Sequence, residues 1–262
     1  MKQFIIAQEP DSNGMLTLSG KAFVYLIKVR RMREGDILYA LLPQSGAADM
    51  VIDSINTIKK TLRLKRQATP LGTSGTSGTL PAAATELVLL QWVLKGSKTD
   101  TIIRQATEAG VRAVLPVIGE FSVAKKQNPA QLERFKRIIK EARQQSGSQI
   151  DTIVMRPAPL TEALNTLKTL VPAATSIFAQ CSEAAGSSIG LHQLLAKKPS
   201  HIVLAIGAEG GISPMEAAIL RETSFQTVHF KTNVLRAETA ALYAIAAAQT
   251  IINEADQWQL PV

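Results

Sequence analysis

The chain has 262 residues, 46% of them hydrophobic, and carries 29 Lys and Arg against 21 Asp and Glu, for a formal charge of +8. This is enough apolar material for one large or two smaller packed domains, and the basic excess favours an anionic partner such as nucleic acid. The single cysteine, Cys181, excludes an internal disulfide, aromatics at 5% are too scarce for a base-stacking surface, and no apolar run approaches the roughly 20 residues of a membrane span.

Lys2 and Glu9 interrupt the N-terminal ten residues too early for a signal-peptide core, so a cytoplasmic location is expected. Residues 1–68 then give short apolar runs between turn signals at Asn13-Gly14, Glu34-Gly35-Asp36 and Ser45-Gly46. Ile37–Leu42 and Met50–Ile55 read as strands, and a small β-barrel is expected. This part holds 11 basic and 6 acidic residues. Lys28, Arg30, Arg31 and Arg33 cluster before Gly35, with a second set at Lys59, Lys60, Arg63, Lys65 and Arg66. A solvated face is the ordinary meaning of such runs; two of them together favour a surface that contacts RNA phosphates. Residues 69–82, rich in Gly, Ser and Thr between Pro70 and Pro81, read as a linker.

Residues 83–262 alternate strand and helix signals. Leu87–Leu94, Val114–Ile118, Ile153–Met155, Ile177–Ala179, His201–Ile206 and Val228–Phe230 are strand-like. Thr101–Ala109, the basic amphipathic stretch Pro129–Gln145 and the Ala-rich stretch Ala237–Asn253 are helical. Such alternation predicts a mostly parallel sheet with helices on both faces.

Two loops stand out. After the strand ending at Ile206 come Gly207-Ala208-Glu209-Gly210-Gly211-Ile212-Ser213-Pro214-Met215-Glu216. Ser213 is a good N-cap, Pro214 suits the first helical position, and Glu216 completes a capping box, so a helix starts at Pro214. The glycines permit close backbone approach to a ligand or simply a tight turn. No Gly-Lys-Ser/Thr ending makes this a P-loop, and the glycine spacing is wrong for a dinucleotide fingerprint. The second loop, Lys231 to Arg236, leads into Ala237-Glu238-Thr239-Ala240. Both loops are expected at adjacent strand ends, where an open α/β sheet holds ligands. His192, His201 and His229 are scattered, which argues against a metal site.

These residues resemble a family. Ile206-Gly207-x-Glu209-Gly210-Gly211-x-Ser213-x-x-Glu216 and Val234-Leu235-Arg236-x-Glu238-Thr239-Ala240 are similar to the signature of the bacterial 16S ribosomal RNA uracil-N3 methyltransferases, the RsmE family of the SPOUT superfamily. Val29-x-Arg31-x-x-x-Gly35-Asp36, Lys95-Gly96, Gln105-Ala106-Thr107-Glu108-x-Gly110-Val111, Pro116 and Glu141-Ala142-x-x-Gln145-Ser146-Gly147 agree with it. The resemblance implies a PUA-like β-barrel followed by a C-terminal α/β domain with a deep trefoil knot. It further implies S-adenosyl-L-methionine as cofactor, 16S rRNA of the small ribosomal subunit as substrate, and a homodimer in which the apolar face of helix 237–253 takes part. Gly207, Glu209, Gly210, Phe230, Val234, Leu235 and Arg236 are then expected around the cofactor, with Gln180 from a third loop.

The implied chemistry is methylation of uracil N3, whose proton must leave before attack on the methyl. Arg236 is the candidate for stabilising charge on a uracil oxygen, and Glu238 or Glu209 for accepting the proton. The chain departs from the family at Ala208 (usually Pro), Phe230-Lys231 (Leu-Gly), Asn233 (often Arg), Ser148 (Arg) and Phe121-Ser122 (Arg-Ser). Those departures keep two alternatives open: methylation at another RNA position, such as a ribose oxygen, and a non-catalytic ribosome-assembly module in which Phe230-Lys231 closes the pocket.

Overall fold

Period-two burial builds the first sheet. In the computed structural model, which describes residues 3–67, 85–122, 129–173, 176–182 and 188–254, Leu62 and Leu64 are fully buried while Arg63 and Lys65 between and beside them face out. They belong to β5 (Thr61–Arg66), which pairs antiparallel with β2 (Met15–Ser19) and with β4 (Gly46–Asn56). With β1 (Phe4–Ile5) and β3 (Ile37–Leu42) they form a five-stranded sheet in the order β1-β3-β4-β5-β2. The register sets Leu38 opposite Met50 and Ile52 opposite Leu64, and these side chains make the core of this unit.

One segment differs from the expected run of strands. Gly20–Phe23 is a short helix, α1, and Val24–Val29 continues it as a π-helical turn. The segment buries Phe23 and Leu26 in the core. The basic cluster begins on this turn: Lys28 is exposed, and Arg31 takes a left-handed backbone with φ of 55°.

By contacts the chain divides into Met1–Thr79 with Arg143–Gln149, and Leu80–Ala142 with Ile150–Val262. The linker expected over 69–82 lies outside the described residues.

The second unit holds a seven-stranded sheet among the described residues. Its strands are β6 (Glu86–Trp92), β7 (Ala113–Ile118), β8 (Ile153–Val154), β9 (Ala158–Pro159), β10 (Ser176–Cys181), β11 (His201–Ile206) and β12 (Gln226–Val228). Every pairing is parallel, in the order β12-β10-β11-β6-β7-β8, with β9 also on β7. Apart from Glu86, β6 is buried throughout, as a central parallel strand covered on both faces must be.

The helices are α2 (Lys98–Glu108), α3 (Pro129–Ser146), α4 (Leu160–Leu170), α5 (Leu191–Leu195), α6 (Pro214–Glu222) and α7 (Ala237–Glu254). α4 went unread in the sequence although its buried stripe, Leu160, Ala163, Leu164 and Leu167, has helical spacing. On α7 the stripe Ala237, Ala241, Ala244, Ile245 and Ala248 is buried within the chain, where the helix packs on α2, α5 and β11. That face is therefore occupied inside the subunit; Leu242 and Tyr243 are its exposed apolar residues. Among the described residues no helix is long and apolar enough to cross a membrane.

The sheet order corrects one expectation. β11 and β12 are not neighbours, because β10 lies between them and pairs with both. Parallel strands are joined by crossovers, so succession in the chain does not fix succession in the sheet. The consequence is a third loop at the same edge. The C-terminal ends of β10, β11 and β12 point the same way, and β12 stops at Val228, leaving His229 and Phe230 in its loop.

Candidate active site

β11 delivers Gly207 to a loop that folds tightly on itself. Gly211 N donates to Ala208 O at 2.9 Å. A Cβ on Gly207 would lie 2.8 Å from the Gly211 carbonyl carbon and 3.0 Å from Ile212 N, so the close backbone approach requires glycine there. The loop ends in the capping box read from the sequence. Glu216 N donates to Ser213 Oγ at 3.2 Å, and Ser213 N donates to Glu216 Oε2 at 3.0 Å.

Glu216 does more than cap α6. Its Oε1 accepts from the indole Nε1 of Trp92, at the end of β6, and from Glu120 N, beyond the end of β7, both at 3.1 Å. One buried carboxylate thus ties three strand ends together. On β6, Gln91 Nε2 donates to the carbonyl of Ile206 at 3.3 Å and steadies the start of the loop.

The loops after β10, β11 and β12 enclose a cavity of about 630 Å³, within the size range of small-molecule sites. Of the residues expected around a cofactor, Gln180, Gly207, Glu209, Phe230, Val234, Leu235 and Arg236 line it. Gly210 does not; it faces Phe121, whose Cβ would be 3.0 Å from an added Cβ. Ser182, Ile212 and His229 also line the cavity, although none of the three is singled out as a site residue by the sequence and His229 reads there only as one of three scattered histidines. His229 Nδ1 donates to the Ser182 carbonyl at 3.1 Å, which links the loops after β12 and β10. Burial pushes the Cys181 thiol up to about 12, which disfavours its thiolate form.

Charge gathers at one side of the cavity. Lys98, the first residue of α2, places Nζ 2.9 Å from Glu209 Oε1 and 3.7 Å from Glu238 Oε2. Burial alone would raise the Glu209 carboxyl, but the hydrogen bond and charge of Lys98 hold it below its ordinary value. Glu238 Oε2 is buried without a hydrogen bond. Arg236 is exposed, lines the cavity and makes no ion pair among the described residues. It is not paired with its near neighbour Glu238, which faces Lys98 instead. His201 sits 3.3 Å from Glu86 and away from the cavity lining, in keeping with a structural role. Among the described residues no group of His, Cys, Asp and Glu is arranged to hold a metal ion.

Residues 81–249 match the family model of the RNA methyltransferase domain, which defines the class of this fold and site. Two relatives extend the match to nearly the whole chain. A ribosomal RNA small subunit methyltransferase E of Synechocystis is 30% identical over 95% of this chain and 78% of its own length. Ribosomal RNA small subunit methyltransferase E 2 of Borreliella burgdorferi is 27% identical over 97% of this chain and 99% of its own. The chain belongs to the ribosomal RNA small subunit methyltransferase E family. Its fold is shared with the Neisseria gonorrhoeae enzyme of that name, solved bound to S-adenosyl methionine, with a TM-score of 0.77, 24% identity and coverage of 96% of this chain and 98% of that one.

Proposed function

We propose that this chain transfers the methyl group of S-adenosyl-L-methionine to N3 of a specific uridine in 16S rRNA of the small ribosomal subunit. The observation that carries the reading is the cavity at the ends of β10, β11 and β12, walled by the tight Gly207–Ser213 loop and by Arg236, which has no ion pair among the described residues, in a chain of this family. The lining fits the cofactor. Ile206, Ile212, Leu235 and Ala240 give apolar walls, and Gln180 Oε1 is a buried acceptor with no hydrogen-bond partner. When bound, the cofactor supplies an electrophilic methyl group.

The chain's own residues supply the rest. Gly207 and its loop bring backbone groups against the ligand. Arg236 faces the negative charge that spreads to a uracil oxygen as N3 loses its proton. Glu238, whose buried Oε2 lies 3.7 Å from Lys98 and accepts no hydrogen bond, is better suited to take that proton than Glu209, to which Lys98 donates directly at 2.9 Å. Phe230 does not fill the cavity; it lines the wall and packs edge-on against Tyr243, with ring centroids 5.1 Å apart. That favours a catalytic site over the closed, non-catalytic alternative. Gly207→Ala is expected to weaken cofactor binding by calorimetry roughly 10- to 100-fold, the equivalent of about 1–3 kcal/mol of overpacking.

The first unit is proposed as the PUA-like RNA-binding barrel, with residues 1–68 ahead of a linker at 69–82, and residues 83–262 as the trefoil-knotted SPOUT domain. The strand order that sets β10 between β11 and β12 supports the second assignment. A homodimer would use the outward side of α7 at Leu242 and Tyr243, and action on ribosomal RNA supports a cytoplasmic location. Lys28, Arg30, Arg31 and Arg33 are proposed to contact phosphates. Changing Lys28, Arg30 and Arg31 together to Gln is expected to make the slope of log K against log salt shallower by about 2–3, measured by filter binding to 16S rRNA fragments; an unchanged slope removes these residues from the interface.

The function itself is tested with labelled cofactor and small subunits that lack uracil-N3 methylation. Nucleoside analysis that yields 3-methyluridine supports the reading. A different methylated nucleoside supports the alternative RNA position, and cofactor binding without any transfer rejects this substrate.

A further inference from the structure

Lys98 is in an unfavourable place for a lysine. It opens α2, where the free N–H groups and the helix dipole favour anions. Local preference is broken most often where a site requires it. Here the ammonium meets two carboxylates from separate parts of the chain: Glu209 in the loop after β11, at 2.9 Å, and Glu238 in the first turn of α7, at 3.7 Å. Lys98 lines the same cavity as Glu209 and Arg236.

We propose that Lys98 is a positioning residue of the methyl-transfer site, whose ammonium joins the glycine-rich loop to the start of α7 and holds Glu209 and Glu238 side by side as carboxylates. Without it the two acids face each other across the space that the ammonium occupies. Like charges brought together disfavour each other's ionisation, so the pair takes up its first proton at a higher pH. With it, Glu209 is committed to the lysine, Glu238 is oriented with an unbonded buried oxygen, and Arg236, the other cation near Lys98, stays free of both. The remaining charged pair on this part of α2, Asp100 with Arg134, is separate and leaves Lys98 to the two glutamates. Lys98 acts through these carboxylates rather than on the substrate.

Carboxyl-carbon NMR titration of the cofactor-free protein tests the assignment, with Glu209→Gln and Glu238→Gln identifying the two signals. In Lys98→Met one of the two carboxyls should titrate about one pH unit or more above its wild-type value, and Lys98→Arg should return it most of the way. In the methyl-transfer assay, which rests on the function proposed above, the acid limb of kcat should move up in pH in Lys98→Met and return in Lys98→Arg. Unchanged titration in a folded Lys98→Met or Lys98→Gln protein overturns the proposal, whether or not the enzyme transfers methyl groups. A shifted titration with an unmoved acid limb overturns the catalytic part of it. If wild-type protein proves inactive on every RNA, the titration still decides the role of Lys98, and only the function fails.

Discussion

Arg236→Ala is expected to lower kcat for methyl transfer about 100- to 1000-fold, the scale seen when a preorganised charge-stabilising donor is removed. Among the described residues, Arg236 is the one basic side chain at the cavity wall with no bonding partner: Lys98 is held by Glu209 and Glu238, and His229 bonds the Ser182 carbonyl. A free guanidinium at the rim of a cofactor-sized cavity is available for an anion that forms during the reaction, and its contribution is largest when that anion is fully developed. The loss should therefore fall on kcat more than on the dissociation constant of S-adenosylmethionine. Arg236→Lys keeps the charge but not the forked donor geometry, and should recover only part of the rate. Single-turnover kinetics with cofactor in excess measure the chemical step directly. A rate in Arg236→Ala within a few-fold of wild type would show that the uracil anion is stabilised elsewhere.

What the sequence made legible here was local. Ser213, Pro214 and Glu216 lie within four positions, and their capping box formed as read because its hydrogen bonds join residues three apart. Gly207 was legible for the same reason, since its crowding comes from Gly211 and Ile212 in its own loop. Lys98 was not. Its partner Glu209 is 111 positions away, and neither residue type nor spacing announces such a pair. The place of β10 between β11 and β12 was hidden too, because a parallel sheet is ordered by crossovers. Ser182 and His229 reach the cavity from the β10 and β12 loops, beside the expected Gln180 and Phe230, but no motif singled them out. The short α5 and the π-helical turn at Val24–Val29 give too few residues for any apolar period to appear. Family resemblance supplied the chemistry that spacing alone left open.

Glu216→Ala is expected to be the most destabilising single change near the site. Glu216 accepts hydrogen bonds from Trp92 Nε1, Glu120 N and Ser213 N. Trp92 and Ser213 are fully buried, so water cannot replace the missing acceptor for their donors. Each buried donor left unsatisfied costs about 1–3 kcal/mol, and the two together should cost at least about 2 kcal/mol. In a domain of this size that corresponds to a melting temperature lower by at least roughly 4–8 °C. Glu216→Gln separates the cap from the rest. Its amide oxygen can still accept from Trp92 and Glu120, while its NH2 group faces Ser213 N, so roughly one hydrogen bond of the three is lost. Calorimetric unfolding should rank wild type above Glu216→Gln and Glu216→Ala last. Function follows the same order, because the carboxylate that satisfies Trp92 also holds the Glu120 loop and the cap of α6 against one another. With it gone, the Gly207–Ser213 loop loses its anchor, and cofactor affinity should fall along with stability even though Glu216 is not part of the cavity lining. Equal stability of the Ala and Gln variants would show that the three strand ends are held by packing and not by this carboxylate.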